Sequence, residues 1–189
     1  MLLRILFKRS ALMLKNDMNA YGLNWFRLIK GWITGHTFFL VRLYRRGNWF
    51  YKHGIKVIPE LIKKKMLRKY SCELSPYATI GKNFRIHHSV GIVVGHEVII
   101  GDNCEIFQNV TIGSNRKERN GRYMPVIGDN VMIGSGAVVV GPITIGNNVR
   151  IGANAYVDKD VPDNTSVIGA SARVLTERAS KSSAITLQQ

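Results

Sequence analysis

The stretch Val94-Gly-His-Glu-Val-Ile-Ile-Gly-Asp-Asn-Cys-Glu-Ile-Phe-Gln-Asn-Val-Thr-Ile-Gly113 decides the fold. Its branched aliphatics fall at Val94, Ile100, Ile106 and Ile112, one every six positions. Upstream the period runs through Leu74, Ile80, Ile86 and Ile92; downstream it resumes as Ile127, Ile133, Val139, Ile145, Ile151 and Val157. A small or medium residue sits two places earlier, as at Ala78, Val98, Cys104, Val110, Val131, Ala137 and Ala155. A helix repeats near 3.6 and a half-buried strand at 2, so neither explains a period of six. A triangular coil does: three short strands per turn, one aliphatic from each pointing inward, with glycine or asparagine tolerating the corner angles. The expected fold is all-β, a left-handed parallel β-helix, with strands of adjacent turns about 4.8 Å apart and an α-helical segment before it.

Two interruptions break the repeat. Two extra residues move the register from Ile92 to Val94, and 15 positions separate Ile112 from Ile127. The segment Ser114–Met124 is too charged for a coil wall and is expected to protrude. Function on solenoids usually resides on such insertions.

The charge divides the chain. Residues 1–70 hold 16 Lys/Arg against Asp17 and Glu60, whereas residues 71–189 hold 11 Lys/Arg against 10 acids. This predicts three parts: a basic, aromatic-rich helical segment over 1–70, a β-helix domain over 71–173, and a polar tail over 174–189. Aromatics on one side and Lys/Arg on the other suit either a peripheral contact with an anionic membrane or packing of the apolar sides against the coil. No recognition motif accompanies the charge, so nucleic acid is not an expected partner. With only Cys72 and Cys104 and no run of 18 apolar residues, the expected setting is reducing and cytoplasmic, possible membrane contact aside.

Candidate chemistry gathers at the first interruption. His87 and His88 follow the inward Ile86, and neighbours on an extended segment point to opposite faces. Glu73 lies 15 positions before His88, close to one turn back, where a carboxylate could orient an imidazole acting as general base. Two solvated histidines on a coil wall are the bland alternative. His96 is either a neighbour or a surface residue. The spacings among His87, His88 and His96 do not match the three-histidine zinc pattern of carbonic anhydrase-type coils, so no metal is expected.

The stretches Glu73-Leu-Ser-Pro-Tyr-Ala-Thr-Ile-Gly81, Ile86-His-His-Ser-Val-Gly-Ile-Val-Val-Gly95 and Gln108-Asn-Val-Thr-Ile-Gly113 resemble serine acetyltransferases. So do Val126-Ile-Gly-Asp-Asn-Val-Met-Ile-Gly-Ser-Gly-Ala137, Ile151-Gly-Ala-Asn-Ala-Tyr-Val157 and the closing Val167-Ile-Gly-Ala-Ser-Ala-Arg173. The resemblance implies a homotrimer with sites between subunits and acetyl-CoA as cosubstrate. It implies that His88 deprotonates an acceptor hydroxyl, which attacks the thioester directly. Glu73 stands where the family usually has aspartate. On the donor side it implies Gly134, Ser135, Gly136, Ala153 and Ala170 along the pantetheine groove, Ser114 and Asn115 near the thioester, and Arg150, Arg173 or Lys159 at the phosphates.

At the amino-acid end the match is poor. His87 replaces an aspartate, Tyr123 and Met124 replace an Arg-His pair, and His96 replaces a glutamate. Losing charge-assisted partners of a zwitterion costs about 2 kcal/mol each. These departures make a sugar or polysaccharide O-acetyltransferase the expectation, with a glycan hydroxyl as acceptor and His87, His96, Tyr123 and Met124 lining its cleft. Serine O-acetylation is the alternative within the family, and a non-catalytic β-helix scaffold the alternative outside it.

Overall fold

All fourteen aliphatics of the sixfold series point inward, and none is more than 5% exposed. The computed structural model describes residues 15–18, 20–22 and 37–171. Among these residues, fourteen strands of two or three residues, β1 (Glu73–Leu74) to β14 (Ser166–Val167), wind into three parallel sheets. Their orders are β1-β4-β7-β10-β13, β2-β5-β8-β11 and β3-β6-β9-β12-β14. Every third strand stacks on one wall, which is the triangular coil of a left-handed parallel β-helix. Regular turns take 18 residues: Val93 pairs with Thr111, and Val138 with Tyr156. Burial of each inward aliphatic contributes about 1.5–3 kcal/mol, so the core is a column of small, repeated gains.

The corners explain the recurrent asparagines. Asn83, Asn103, Asn130, Asn148 and Asn164 adopt left-handed backbone angles with φ of 55–60°, where asparagine and glycine are least penalised. Their side chains form a ladder, each amide donating to the carbonyl of the next: 2.7 Å from Asn83 to Asn103, and 2.8 Å from Asn148 to Asn164. Beside it, backbone N–H groups of Lys82, Asp102, Asp129 and Asn147 donate to side-chain oxygens one turn on, at 2.7–2.9 Å. Polar corner groups are thereby satisfied without interrupting the apolar column.

A solenoid leaves the backbone of its first turn unpaired on the outer side, an edge that must be covered. Helix α1 (Thr37–Lys52) covers it. The buried Tyr44 hydroxyl donates to the Ala78 carbonyl at 2.9 Å and accepts from the Ile80 N–H at 3.1 Å. Asn48 donates to the carbonyls of Pro76 and Ala78, both at 2.9 Å. Arg45 donates to the Ile80 and Gly81 carbonyls while pairing with the buried Asp17 at 2.9 Å. Helix α2 (Val57–Tyr70) packs on α1 and ends at Ser71, whose left-handed φ of 49° turns the chain into β1. The apolar side of α1 (Phe38, Leu40, Val41 and Tyr44) is buried, so at α1 the aromatic segment packs inward. Trp25, Phe26 and Trp32, and the tail over 174–189, lie outside the described residues.

Candidate active site

Both interruptions of the repeat become features of the surface. The first lengthens one turn, so that Glu73 pairs with Val93, 20 positions on. His88 sits in the resulting corner between β3 (Arg85–Ile86) and β4 (Val93–Val94) and is exposed. The corner closes through Gly91, at φ +71°, whose N–H donates to the Ser71 carbonyl at 2.8 Å. A Cβ there would lie 2.1 Å from the Asn109 Oδ1 of the next turn, so only glycine fits. Among the described residues, no hydrogen bond or ion pair holds the His88 imidazole.

Glu73 is placed differently from the geometry expected of a His88 partner. Its carboxylate meets the Lys63 ammonium of α2 at 2.8 Å, and within the single chain it makes no hydrogen bond to His88. The residue one turn from Glu73 is Val93 rather than His88, and the competing cation comes from a helix outside the repeat.

His87 is firmly held. Its Nε2 lies 2.8 Å from Glu105 Oε2, and its ring stacks on Phe107 with centroids 4.2 Å apart and planes 9° from parallel. Arg85 also pairs with Glu105. Position 87 therefore lacks an acid, yet a carboxylate stands beside it, supplied from the next turn. Sequence reading missed Glu105; the 20-residue register that sets Arg85 opposite Glu105 is the signal that finds it. The same register places Gln108 one turn from His88. Gln108 Oε1 is buried without a hydrogen-bond partner, an acceptor that costs about 1–3 kcal/mol while unsatisfied.

His96 stacks on Tyr77, with centroids 4.8 Å apart. Tyr77 donates to Glu60 of α2 at 2.6 Å, and that bond to a carboxylate pushes the phenol up to about 12. Met124 reaches back from the protruding loop to Gly95, where an added Cβ would lie 3.4 Å from its methyl carbon. The structure thus brings Met124 beside the His96 segment, while Tyr123 stands 46% exposed at the loop's end. The loop is tied down by Arg119, which pairs bidentately with Asp160 at 2.7 and 2.8 Å. That pairing, with a Thr144 N–H donated at 2.7 Å, pulls the Asp160 carboxyl down to about 2.

On the donor side, much of the small-residue pattern follows from coil stacking alone. A Cβ on Gly134 would lie 2.7 Å from the Ala153 N, and one on Gly136, at φ +70°, 2.2 Å from Asn154 Oδ1. The Ser135 carbonyl accepts from the Asn154 N–H at 2.9 Å. Ser114 and Asn115 accept from the N–H groups of Arg116 and Lys117 and so shape the loop's first turn. Arg150 and Lys159 are exposed on the coil, Arg150 on β12 (Arg150–Ile151). Arg173 lies outside the described residues. Cys72 and Cys104 are both buried, and burial raises their thiols to about 12 and about 11, which makes them packing groups rather than nucleophiles.

Residues 124–159 match the bacterial transferase hexapeptide family (six repeats). A serine acetyltransferase of Bacillus pumilus is 39% identical over 138 residues, 73% of this chain and 63% of that protein. The crystal structure of Neisseria gonorrhoeae serine acetyltransferase superposes with a TM-score of 0.74 at 30% identity, covering 90% of this chain and 67% of that one. That of the Brucella abortus enzyme in complex with coenzyme A gives 0.74 at 28%, covering 91% and 72%. The chain spans 63% of the Bacillus relative's length, and relatives at 32–46% identity are named serine acetyltransferases. This overturns the expectation of a sugar or polysaccharide acceptor. That expectation weighed substitutions at four positions one by one and took no account of Glu105, a carboxylate that the next turn sets beside His87. The chain belongs to the serine acetyltransferase-like family of hexapeptide-repeat acyltransferases.

Proposed function

We propose that this chain is an acetyl-CoA-dependent O-acetyltransferase whose acceptor is the hydroxyl of L-serine. The observation that carries the reading is the His88 corner, an exposed, unpaired imidazole on a glycine-fixed insertion, in a chain whose relatives are named serine acetyltransferases. His88 takes the hydroxyl proton as the serine oxygen attacks the thioester carbon. The C–O bond forms, the C–S bond breaks, and the proton passes from the imidazolium to the departing thiolate. An imidazole suits this relay because its ordinary pKa lies near neutrality.

The division into a helical segment over 1–70, a catalytic unit over 71–173 and a tail over 174–189 belongs to the same reading. So does a homotrimer, in which coil walls of two subunits enclose the pantetheine arm along Gly134–Gly136 and Ala153. In that assembly Glu73 acts on His88 after exchanging its Lys63 contact, and the orphaned Gln108 carbonyl receives a donor from substrate. Glu105 and His87 lie at the ammonium end, with Tyr123, Met124 and His96 around the rest of the acceptor.

The test is thiol release from acetyl-CoA with the full chain and its His88→Ala variant. The variant is expected to lose about 100-fold or more of the serine-dependent rate while binding of coenzyme A persists. Near-normal turnover without the imidazole removes His88 from the chemistry.

A further inference from the structure

The two helices that cover the first turn form between them an open cavity of about 250 Å³. A complete stripe of α1 faces it: Phe39, Arg42, Leu43 and Arg46, at the i, i+3, i+4, i+7 spacing that marks one helix face. From α2 come Lys65 and Lys69, four apart, and the buried Tyr70. Four cations ring an apolar floor made by Phe39, Leu43 and Tyr70.

The charge there is uncompensated. Residues 1–70 contain two acids, and both are engaged elsewhere: Asp17 with Arg45, and Glu60 with the Tyr77 hydroxyl. The next carboxylate along the chain, Glu73, is taken by Lys63. Among the described residues, none of Arg42, Arg46, Lys65 and Lys69 forms an ion pair. Like charges four apart on a helix repel, and here two such pairs face each other across one cavity. Coil capping does not require this, since Tyr44, Arg45 and Asn48 perform it from another side of α1. Guanidinium groups beside ammonium groups, with no acid near, are the chemistry that recognises phosphate oxygens.

We propose that this cavity, lined by none of the residues assigned to acyl transfer, is a binding site for a phosphate-bearing anion, independent of the reading given for that site. The two arginines grip the phosphate oxygens, the lysines complete the charge, and the apolar floor accepts the carbon skeleton next to the phosphate. The shared chemistry is met by a free organic phosphate or by the headgroup of an acidic phospholipid.

The experiment is calorimetric titration of the full chain with inorganic pyrophosphate at low salt, with coenzyme A in excess so that any phosphate site for the cosubstrate is filled. Saturable binding is expected, weakening with salt and falling about tenfold or more in Arg42→Gln/Lys69→Gln. Both side chains are exposed, so the variant is expected to keep its melting temperature. Flotation with phosphatidic acid vesicles in phosphatidylcholine separates the sources. Vesicle binding that pyrophosphate displaces identifies a headgroup; pyrophosphate binding without flotation identifies a free phosphate. Absence of saturable binding to either probe, or binding that the double variant leaves unchanged, overturns the proposal. Thiol release from acetyl-CoA is expected to be the same in the variant, so failure of the catalytic reading is registered separately.

Discussion

Tyr44→Phe isolates how much the helical cap contributes to the coil. The substitution keeps the buried ring and deletes one hydroxyl, which donates to the Ala78 carbonyl and accepts from the Ile80 N–H. These two partners are unequal. The Ala78 carbonyl retains the Asn48 amide at 2.9 Å, so the group left bare is the Ile80 N–H. One buried, unsatisfied donor costs about 1–3 kcal/mol, against about 1 kcal/mol for an ordinary net hydrogen bond. The expected loss is therefore about 1–3 kcal/mol, read by urea unfolding under circular dichroism at one fixed subunit concentration, since assembly shifts apparent stability. Asn48→Ala alone leaves the Ala78 carbonyl served by Tyr44 but strips the buried Pro76 carbonyl of its donor, and is expected to cost a similar amount. In the double variant Ala78 loses both donors, so the costs are expected to exceed additivity by about 1 kcal/mol. A Tyr44→Phe loss under about 0.5 kcal/mol, with strict additivity, would refute the idea that these side chains cover an otherwise bare first turn.

Gly91→Ala meets both a positive φ and the Asn109 side chain; a loss of about 2 kcal/mol or more in stability is expected, together with reduced turnover because the His88 corner must move. At neutral pH Asp160→Asn is expected to speed hydrogen exchange in residues 114–124 while leaving the coil's melting temperature nearly unchanged. The folded carboxyl is depressed to about 2, so its pairing is complete above the ordinary aspartate value of about 3.9 and is lost as pH falls through about 2. Both partners are largely exposed, so high salt at neutral pH should loosen the same loop. Tyr123→Arg restores a cation to the loop's end and is expected to lower the KM for L-serine by about tenfold, with KM for acetyl-CoA unchanged.

The coil was legible because each turn repeats the same physical demand. An inward aliphatic every six residues and an asparagine or glycine at each tight corner specify the walls without knowledge of distant contacts. The two irregularities were legible for the same reason, as departures from a strict period, and they mark the His88 corner and the Ser114–Met124 loop. What the sequence did not disclose comes from groups outside the repeat. Lys63, on a helix whose docking no period predicts, captures Glu73. Tyr44, Arg45 and Asn48 read as members of a basic aromatic helix, yet their role is to meet bare carbonyls of the first turn. Glu105 was overlooked because its significance depends on the two-residue insertion, which shifts the pairing from 18 to 20 and sets it beside Arg85 and His87. The sugar acceptor was read from single positions, a comparison that does not see the Glu105 carboxylate beside His87.

The most direct measurement of the central claim is product analysis by mass spectrometry after reaction of the full chain with acetyl-CoA and L-serine, alongside the free thiol released. O-Acetyl-L-serine in one-to-one proportion with thiol, absent when His88 is replaced, is the predicted result. Thiol release that is the same without serine, or no acetylated serine from a chain that binds coenzyme A, would contradict it.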